Sequence, residues 1–285
     1  MAKSRSRERR NPCWTIRKSV PNGWRFDEMT KQRPVAVVTG GRQGLGRAIA
    51  LELARREFDV AVLDLVEDEK AEGLKADLAA LGARAHFGVM DLAAIETHEG
   101  ALDGVEANLG PIDALINNAG IASRPLTDIL DISAEAFDRN LGINLRGSFF
   151  LTQAVARRML TRTVETYRSI TFITSIAASH ASPDRSPYCV SKAGLSMTAC
   201  LFADRLGGNG IAVHEVRPGF IRTEMTGSAP TGKIDAYIEN GTVPMRRWGQ
   251  SGDIGAVVSA LAAGALPYVT GQPIYVDGGF HIPTA

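Results

Sequence analysis

Tyr188 and Lys192 stand four positions apart, and Ser175 lies thirteen positions before the tyrosine. On one helix, a separation of four puts two side chains on the same face. The pair then sets a phenol beside an ammonium. An unperturbed tyrosine has a pKa of about 10 and is a poor base at neutral pH, but an adjacent positive charge favours the phenolate and lowers that value. Tyr188 thereby becomes a proton carrier. Ile173-Thr174-Ser175 has the character of a buried strand end, from which the Ser175 hydroxyl can donate to the oxygen that Tyr188 protonates or deprotonates. Together they polarise a C–O bond. A solvated helix face carries Tyr-x-x-x-Lys just as readily, so the elements that position these residues decide between the two readings.

Those elements require a chain that can bury a sizeable core. At 285 residues with 45% hydrophobic residues, this one suffices for a single α/β domain, or for two small ones. Its 32 basic and 31 acidic residues leave a formal net charge of +1, which argues against a nucleic-acid-binding surface over the whole domain. Arg5, Arg7, Arg9, Arg10, Arg17, Lys18 and Arg25 concentrate in residues 1–30 without a continuous apolar run. That stretch reads as a disordered extension, or as lying before a true start at Met29, in preference to a secretory signal or a polyanion-binding arm. Cys13, Cys189 and Cys200 have no metal-ligand spacing and suit reduced thiols in the cytoplasm; no metal is expected. From Ile254 to Val276 there is no charge, but Gly264, Pro267, Gly271 and Pro273 interrupt the run, which predicts a helix followed by a strand and no membrane span.

The apolar run Pro34 to Thr39 predicts a first strand, followed at once by Gly40-Gly41-Arg42-Gln43-Gly44-Leu45-Gly46 and a helical pattern over Arg47 to Arg56. Strand, glycine loop and helix in that order make a phosphate-binding turn: glycines let the backbone approach a pyrophosphate, and the helix N-terminus offers unpaired N–H groups. The second strand, Asp59 to Leu63, ends at Asp64-Leu65, with Asp64 eighteen residues beyond Gly46. A carboxylate there accepts hydrogen bonds from an adenine-ribose 2′-OH and repels a 2′-phosphate, so NAD is favoured, with NADP left open because Arg42 can pair with that phosphate. A helix over 67–81, strands at 83–89 and 112–116, a long helix over 133–159, and strands at 168–174 and 211–216 continue the alternation. Gly227, Pro230 and Gly232 with mixed polarity make 224–244 a mobile lid. Strands alternating with helices imply a doubly wound parallel sheet of about seven strands, covered on both faces, whose strand ends converge at the carboxyl edge.

From about Pro34 to its end, this chain resembles the short-chain dehydrogenase/reductase family: Gly-x-x-x-Gly-x-Gly over Gly40 to Gly46, Asn117-Asn118-Ala119-Gly120, and Ser175 with Tyr188 and Lys192 carry the likeness. The resemblance implies a Rossmann fold in which residues 31–285 form one dinucleotide-binding and catalytic domain. It implies that Asp91 and Leu92 bind the adenine edge, that Asn118, Ala119 and Gly120 line the ribose, and that Pro218, Gly219, Ile221 and Thr223 hold the nicotinamide. It gives Asn144 a water in a proton relay behind Lys192, and Lys192 a bond to the nicotinamide ribose besides its effect on Tyr188. Homotetramers or homodimers are the family's usual assemblies.

The expected activity is an NAD(P)-dependent transfer between a secondary alcohol and a ketone, with Tyr188 as acid/base. His180, Asp184, Arg185 and Arg124 can face the substrate, which suits a polar or acidic molecule as well as solvated loops. The competing readings are an NADPH-dependent 3-oxoacyl-(acyl-carrier-protein) reductase and a non-catalytic NAD(P)-sensing binding protein.

Overall fold

The first strand of this computed structural model lies inside the sheet, third from one edge. The structure describes residues 32–163, 166–223 and 232–283, so the basic stretch 1–30, with Cys13, lies outside the described residues. In chain order the elements are β1 (Val35–Thr39), α1 (Gly44–Arg55), β2 (Asp59–Asp64), α2 (Glu69–Ala80), β3 (Ala85–Val89), α3 (His98–Leu109) and β4 (Ile112–Asn117). There follow α4 (Ala134–Leu141), α5 (Ser148–Leu160), β5 (Arg168–Ile173), α6 (Ser186–Gly207), β6 (Ile211–Pro218) and β7 (Ile221–Arg222). The chain closes with α7 (Gly232–Glu239), β8 (Gly249–Gln250), α8 (Ser251–Ala262) and β9 (Pro273–Val276). Seven strands pair in the order β3-β2-β1-β4-β5-β6-β9, every pair parallel, and β7 and β8 form a separate two-stranded ribbon. This is the doubly wound sheet expected.

The strands are apolar on both sides because both faces are covered. Alternate residues of β1 serve opposite cores. Val35 and Val37 pack with Leu102 and Val105 of α3, Leu151 of α5 and Leu195 of α6. Ala36 and Val38 pack with Ile49 and Leu53 of α1, Leu74 of α2 and Ile254 of α8. The uncharged run from Ile254 to Val276 becomes most of α8 followed by β9, and among the described residues no helix is long and apolar enough to cross a membrane.

Helix starts follow local chemistry. Asp68 caps α2 by accepting from the Lys70 and Ala71 amides, and Gln250 and Asp253 form a reciprocal capping box on α8. One predicted element breaks. The helix expected as a single run over 133–159 is α4, a π-helical turn over Gly142–Gly147, and α5. The wide turn carries Asn144, and its last residue approaches the loop after β3 so closely that a Cβ on Gly147 would lie 2.3 Å from the Leu92 carbonyl oxygen.

Asp113 joins β1 to β4 where their register slips. Val35 pairs with Ile112 but Ala36 pairs with Ala114, so Asp113 is the extra residue. Its buried carboxylate accepts from the Val35 amide at 3.0 Å, from Arg162 at 2.9 Å and from the Thr166 hydroxyl at 2.8 Å. Asp113→Ala takes the acceptor from all three donors. All three are bonds to a carboxylate; Arg162 can turn to water, and losing the two inner ones sets the expected destabilisation at about 3 kcal/mol. Thermal melting should show Tm falling by roughly 6–12 °C; a variant that melts with the wild type would mean that water replaces the carboxylate.

Candidate active site

The carboxyl edge of the sheet is organised around Thr39, the last residue of β1. Its buried hydroxyl donates to the Ile116 carbonyl at 3.3 Å and accepts from the amides of Asn118 and Ala119, both at 3.0 Å. The Asn118 side chain returns two bonds, to the carbonyls of Thr39 at 2.9 Å and Gly40 at 3.0 Å. The turn after β4 is thus tied to the glycine loop after β1. Gly40 and Gly44 have φ of +63° and +56°, which L side chains resist. A Cβ on Gly46 would lie 2.1 Å from the Gly40 oxygen and 2.6 Å from Asn118 Nδ2. Only bare backbone permits α1 to start this close to the strand.

That start is open to an anion. Gln43, at the N-cap, makes no capping bond with its side chain, and no acid lies in the first turn. Its Oε1 instead accepts from Lys70 Nζ at 2.7 Å. A glycine cradle under an uncapped helix N-terminus fits the pyrophosphate of a dinucleotide. At the end of β2, Asp64 accepts from the Arg42 amide at 3.0 Å and from the Leu65 amide at 2.8 Å, while the Leu65 side chain is exposed. The Arg42 guanidinium turns to Asp68 as an ion pair. Asp91 is exposed and accepts from the Ala93 amide at 2.9 Å, closing a turn ahead of α3, and Leu92 is buried.

Ser175 follows β5 and caps a short turn, its Oγ accepting from the Ala177 amide at 3.1 Å. Tyr188 and Lys192 are both on α6, whose first turn is seated by a bond from the Tyr188 amide to the buried Ser123 hydroxyl at 3.2 Å. The predicted spacing therefore works as one helix face. Lys192 is 4% exposed; its Nζ donates to the Ile173 carbonyl at 2.9 Å and lies 5.6 Å from the centroid of the Tyr188 ring. Asn144 is fully buried. Its Oδ1 accepts from the Ile121 amide at 2.8 Å, and its Nδ2 donates to the Ile121 carbonyl at 3.0 Å and to the Ser191 hydroxyl at 3.1 Å. Gly120 sits between the two: a Cβ there would be 3.0 Å from Asn144 Oδ1 and 3.6 Å from Lys192 Nζ.

The electrostatics depart from expectation in one respect. Burial pushes the Tyr188 phenol above its ordinary value of 10, against a hydrogen bond from Ser175 and the charge of Arg185, both of which pull it down. Lys192 does not reverse this, because burial lowers its own pKa to about 8 and its ammonium is held by a backbone carbonyl. Arg185, one turn before the tyrosine, is the cation that the spacing of Tyr188 and Lys192 concealed.

Pro218 ends β6, and the Gly219 amide bonds the Val276 carbonyl at 3.0 Å. A Cβ on Gly219 would lie 2.5 Å from that of Asp277, so this turn also needs glycine. Ile221 is buried in the ribbon with Gly249, and Thr223 is the last residue before 224–231, which lie outside the described residues. Tyr237 of α7 and Phe280 close on Phe220, and His180 from the loop before α6 lies 5.4 Å from Phe280 between ring centroids.

A doubly wound sheet with a phosphate cradle and a Ser-Tyr-Lys cluster at its carboxyl edge defines a dinucleotide-dependent oxidoreductase. The chain belongs to the short-chain dehydrogenase/reductase family, whose members act with NAD(P) on CH–OH and ketone groups. The profile described as enoyl-(acyl carrier protein) reductase matches residues 40–281. A 3-oxoacyl-(acyl-carrier-protein) reductase of Staphylococcus epidermidis is 32% identical over 247 residues, covering 87% of this chain and 98% of its own. D-threitol dehydrogenase of Mycolicibacterium smegmatis is 34% identical over 251 residues, covering 87% and 93%. The crystal structure of a 3-oxoacyl-(acyl-carrier protein) reductase from Brucella melitensis in complex with NAD superposes with a TM-score of 0.86 at 44% identity, covering 90% of this chain and all 100% of that one.

Proposed function

We propose that this enzyme interconverts a secondary alcohol and a ketone with NAD, and that Ser175, Tyr188, Lys192 and Asn144 are its catalytic residues. The observation that carries this is a buried lysine whose Nζ lies 5.6 Å from the Tyr188 ring centroid on the same helix, with the Ser175 hydroxyl close enough to draw the phenol's pKa down. The nicotinamide, when bound, supplies or takes the hydride. Tyr188 takes the hydroxyl proton in oxidation and returns it to the carbonyl oxygen in reduction. Ser175 holds that oxygen by its hydroxyl. Lys192 binds the nicotinamide ribose and stabilises the phenolate once the site is filled. Asn144 holds Gly120-Ile121 at the end of the β4 turn and supports the water that links Lys192 to solvent.

For the cofactor, Gly40 to Gly46, including Arg42, Gln43, Gly44 and Leu45, would cradle the pyrophosphate. Asp64 and Leu65 would take the adenosine ribose, Asp91 and Leu92 the adenine, Asn118 to Gly120 the second ribose, and Pro218, Gly219, Ile221 and Thr223 the carboxamide. The preference for NAD rests on two carboxylates: Asp64, at the end of β2 beside the glycine loop, would accept from the ribose, and Asp68 already occupies the Arg42 guanidinium. Fluorescence titration should therefore give NADH roughly 5- to 150-fold tighter than NADPH, the discrimination that about 1–3 kcal/mol would supply when a polar site loses its partner. Asp64→Ser should narrow that ratio towards one. Tighter NADPH binding by the wild type would instead bring Arg42 out of its ion pair and favour the second reading, a 3-oxoacyl-(acyl-carrier-protein) reductase, which the names of the Staphylococcus and Brucella relatives support. Polyols, hydroxy acids and a 3-oxoacyl thioester form the substrate panel, and D-threitol joins it on the strength of the Mycolicibacterium relative.

Residues 224–244 would act as the lid, with the Tyr237 to Phe220 and Phe280 contacts as its inner face. A homotetramer or homodimer would cover the exposed stripe Val190, Met197 and Leu201 on α6. Cys189 and Cys200, both free thiols, suit a cytoplasmic setting.

A further inference from the structure

Behind the strand end that presents Ser175 lies a buried polar cluster with no part in the chemistry above. Glu215 and Arg217, two residues apart on β6, are 1% and 9% exposed. Arg217 Nε donates to Glu215 Oε1 at 2.6 Å. The carboxylate also accepts from Thr174 Oγ1 at 2.7 Å and from Ser196 Oγ at 2.9 Å. The guanidinium donates further to the Tyr275 hydroxyl and to Ser196, each at 2.7 Å, and to Ser179 Oγ at 3.4 Å. Each partner belongs to a different part of the site: Thr174 precedes Ser175, Ser179 lies in the loop between Ser175 and Tyr188, Ser196 is one turn beyond Lys192, and Tyr275 is on β9.

A buried ion pair contributes little to stability over a well-packed apolar replacement, because desolvation offsets its attraction. A closed set of directional bonds contributes orientation instead. We propose that Glu215 and Arg217 are the positioning residues of this active site, fixing the Ser175 strand end against the Tyr188 helix so that the serine hydroxyl is held toward the phenol. The proposal deepens, and rests on, the assignment of Ser175 and Tyr188 to catalysis. Four groups face the phenol: Ser175 and Arg185 favour its ionised form, Cys189 opposes it, and the Lys192 ammonium lies 5.6 Å from the ring centroid. Of these the ion pair governs Ser175 alone.

Removing one partner strands a buried charge, so the test removes both, in Glu215→Leu/Arg217→Met, with Tyr275→Phe as a milder variant that takes one bond from the fork. Carbon-13 NMR of ligand-free protein labelled at tyrosine Cζ follows Tyr188, its signal assigned by its loss in Tyr188→Phe. The expected result is a higher titration midpoint for Tyr188 in the double variant and a smaller rise in Tyr275→Phe. With the best substrate of the panel, kcat should fall at least tenfold while the Kd for NADH stays within twofold, and Arg217→Lys should recover part of kcat. An unchanged Tyr188 signal overturns the proposal, as do equal losses of kcat and cofactor affinity. If the double variant does not fold, the signal in Tyr275→Phe decides alone. A wild type that turns over nothing in the panel sinks the catalytic assignment, whereas the NMR, recorded without substrate, still judges the positioning role.

Discussion

Tyr188→Phe is expected to lower kcat by roughly 10²–10⁴-fold, the contribution of a positioned acid/base group, while the Kd for NADH changes little. The ring stays, as does the bond from the residue's backbone amide to Ser123; only the hydroxyl is lost. The direction of the pKa adds a second part to the result. Burial holds the phenol protonated through the neutral range, so the proton donor for reduction is plentiful there while the base for oxidation is scarce. Oxidation by the wild type should accelerate as pH rises above neutrality, and reduction should weaken only where the phenol begins to ionise. Steady-state rates in both directions, at saturating cofactor, measure this. A Phe variant within tenfold of the wild type would remove Tyr188 from the proton path.

Lys192→Met should do two opposite things, abolishing turnover and making the ligand-free protein more stable. The lysine is 4% exposed, with its pKa lowered by burial from an ordinary 10.5 to about 8. Between those values the unfolded chain holds a proton that the folded one has released, so stability rises with pH through that window. Below it the buried ammonium costs about 3 kcal/mol, less about 1–2 kcal/mol returned by its bond to the Ile173 carbonyl. A net gain of about 1–2 kcal/mol raises Tm by roughly 2–8 °C for a domain of this size. Melting at neutral pH, repeated near pH 10, should show the advantage of the variant shrinking as the native lysine loses its charge. A lower Tm for Lys192→Met at neutral pH would mean that the carbonyl bond outweighs desolvation.

Much of this site was legible because it depends on offsets along the chain. Ser175, Tyr188 and Lys192 follow from a strand end and one helix face, and the cradle from glycines placed between the first strand and the first helix. What depends on tertiary packing was not. The sign of the Tyr188 shift is set by burial, which no spacing reports. The π-helical turn at Asn144 is invisible to a 3.6-residue period, although Gly142 and Gly147 bracket it. Thr39 looked like one more β-branched strand residue, yet it knots two turns together. Glu215 and Arg217 did leave a signal: opposite charges two apart, on one side of a strand whose other residues except His214 are apolar, mark a buried pair.

The placement of β1 bears on how the protein is made. Of the described strands β1 leaves the ribosome before any other, yet it ends inside the finished sheet, and Val35 waits for Ile112 before its second edge is covered. At bacterial or eukaryotic synthesis rates that gap lasts roughly 4–15 s. During it β2 and then β3 emerge and can pair with β1, but the edge of β1 that β4 will cover keeps its row of backbone groups unpaired. A nascent chain in this state offers a sticky parallel edge to its neighbours, so crowded translation of this protein is the stage at which it most needs a chaperone.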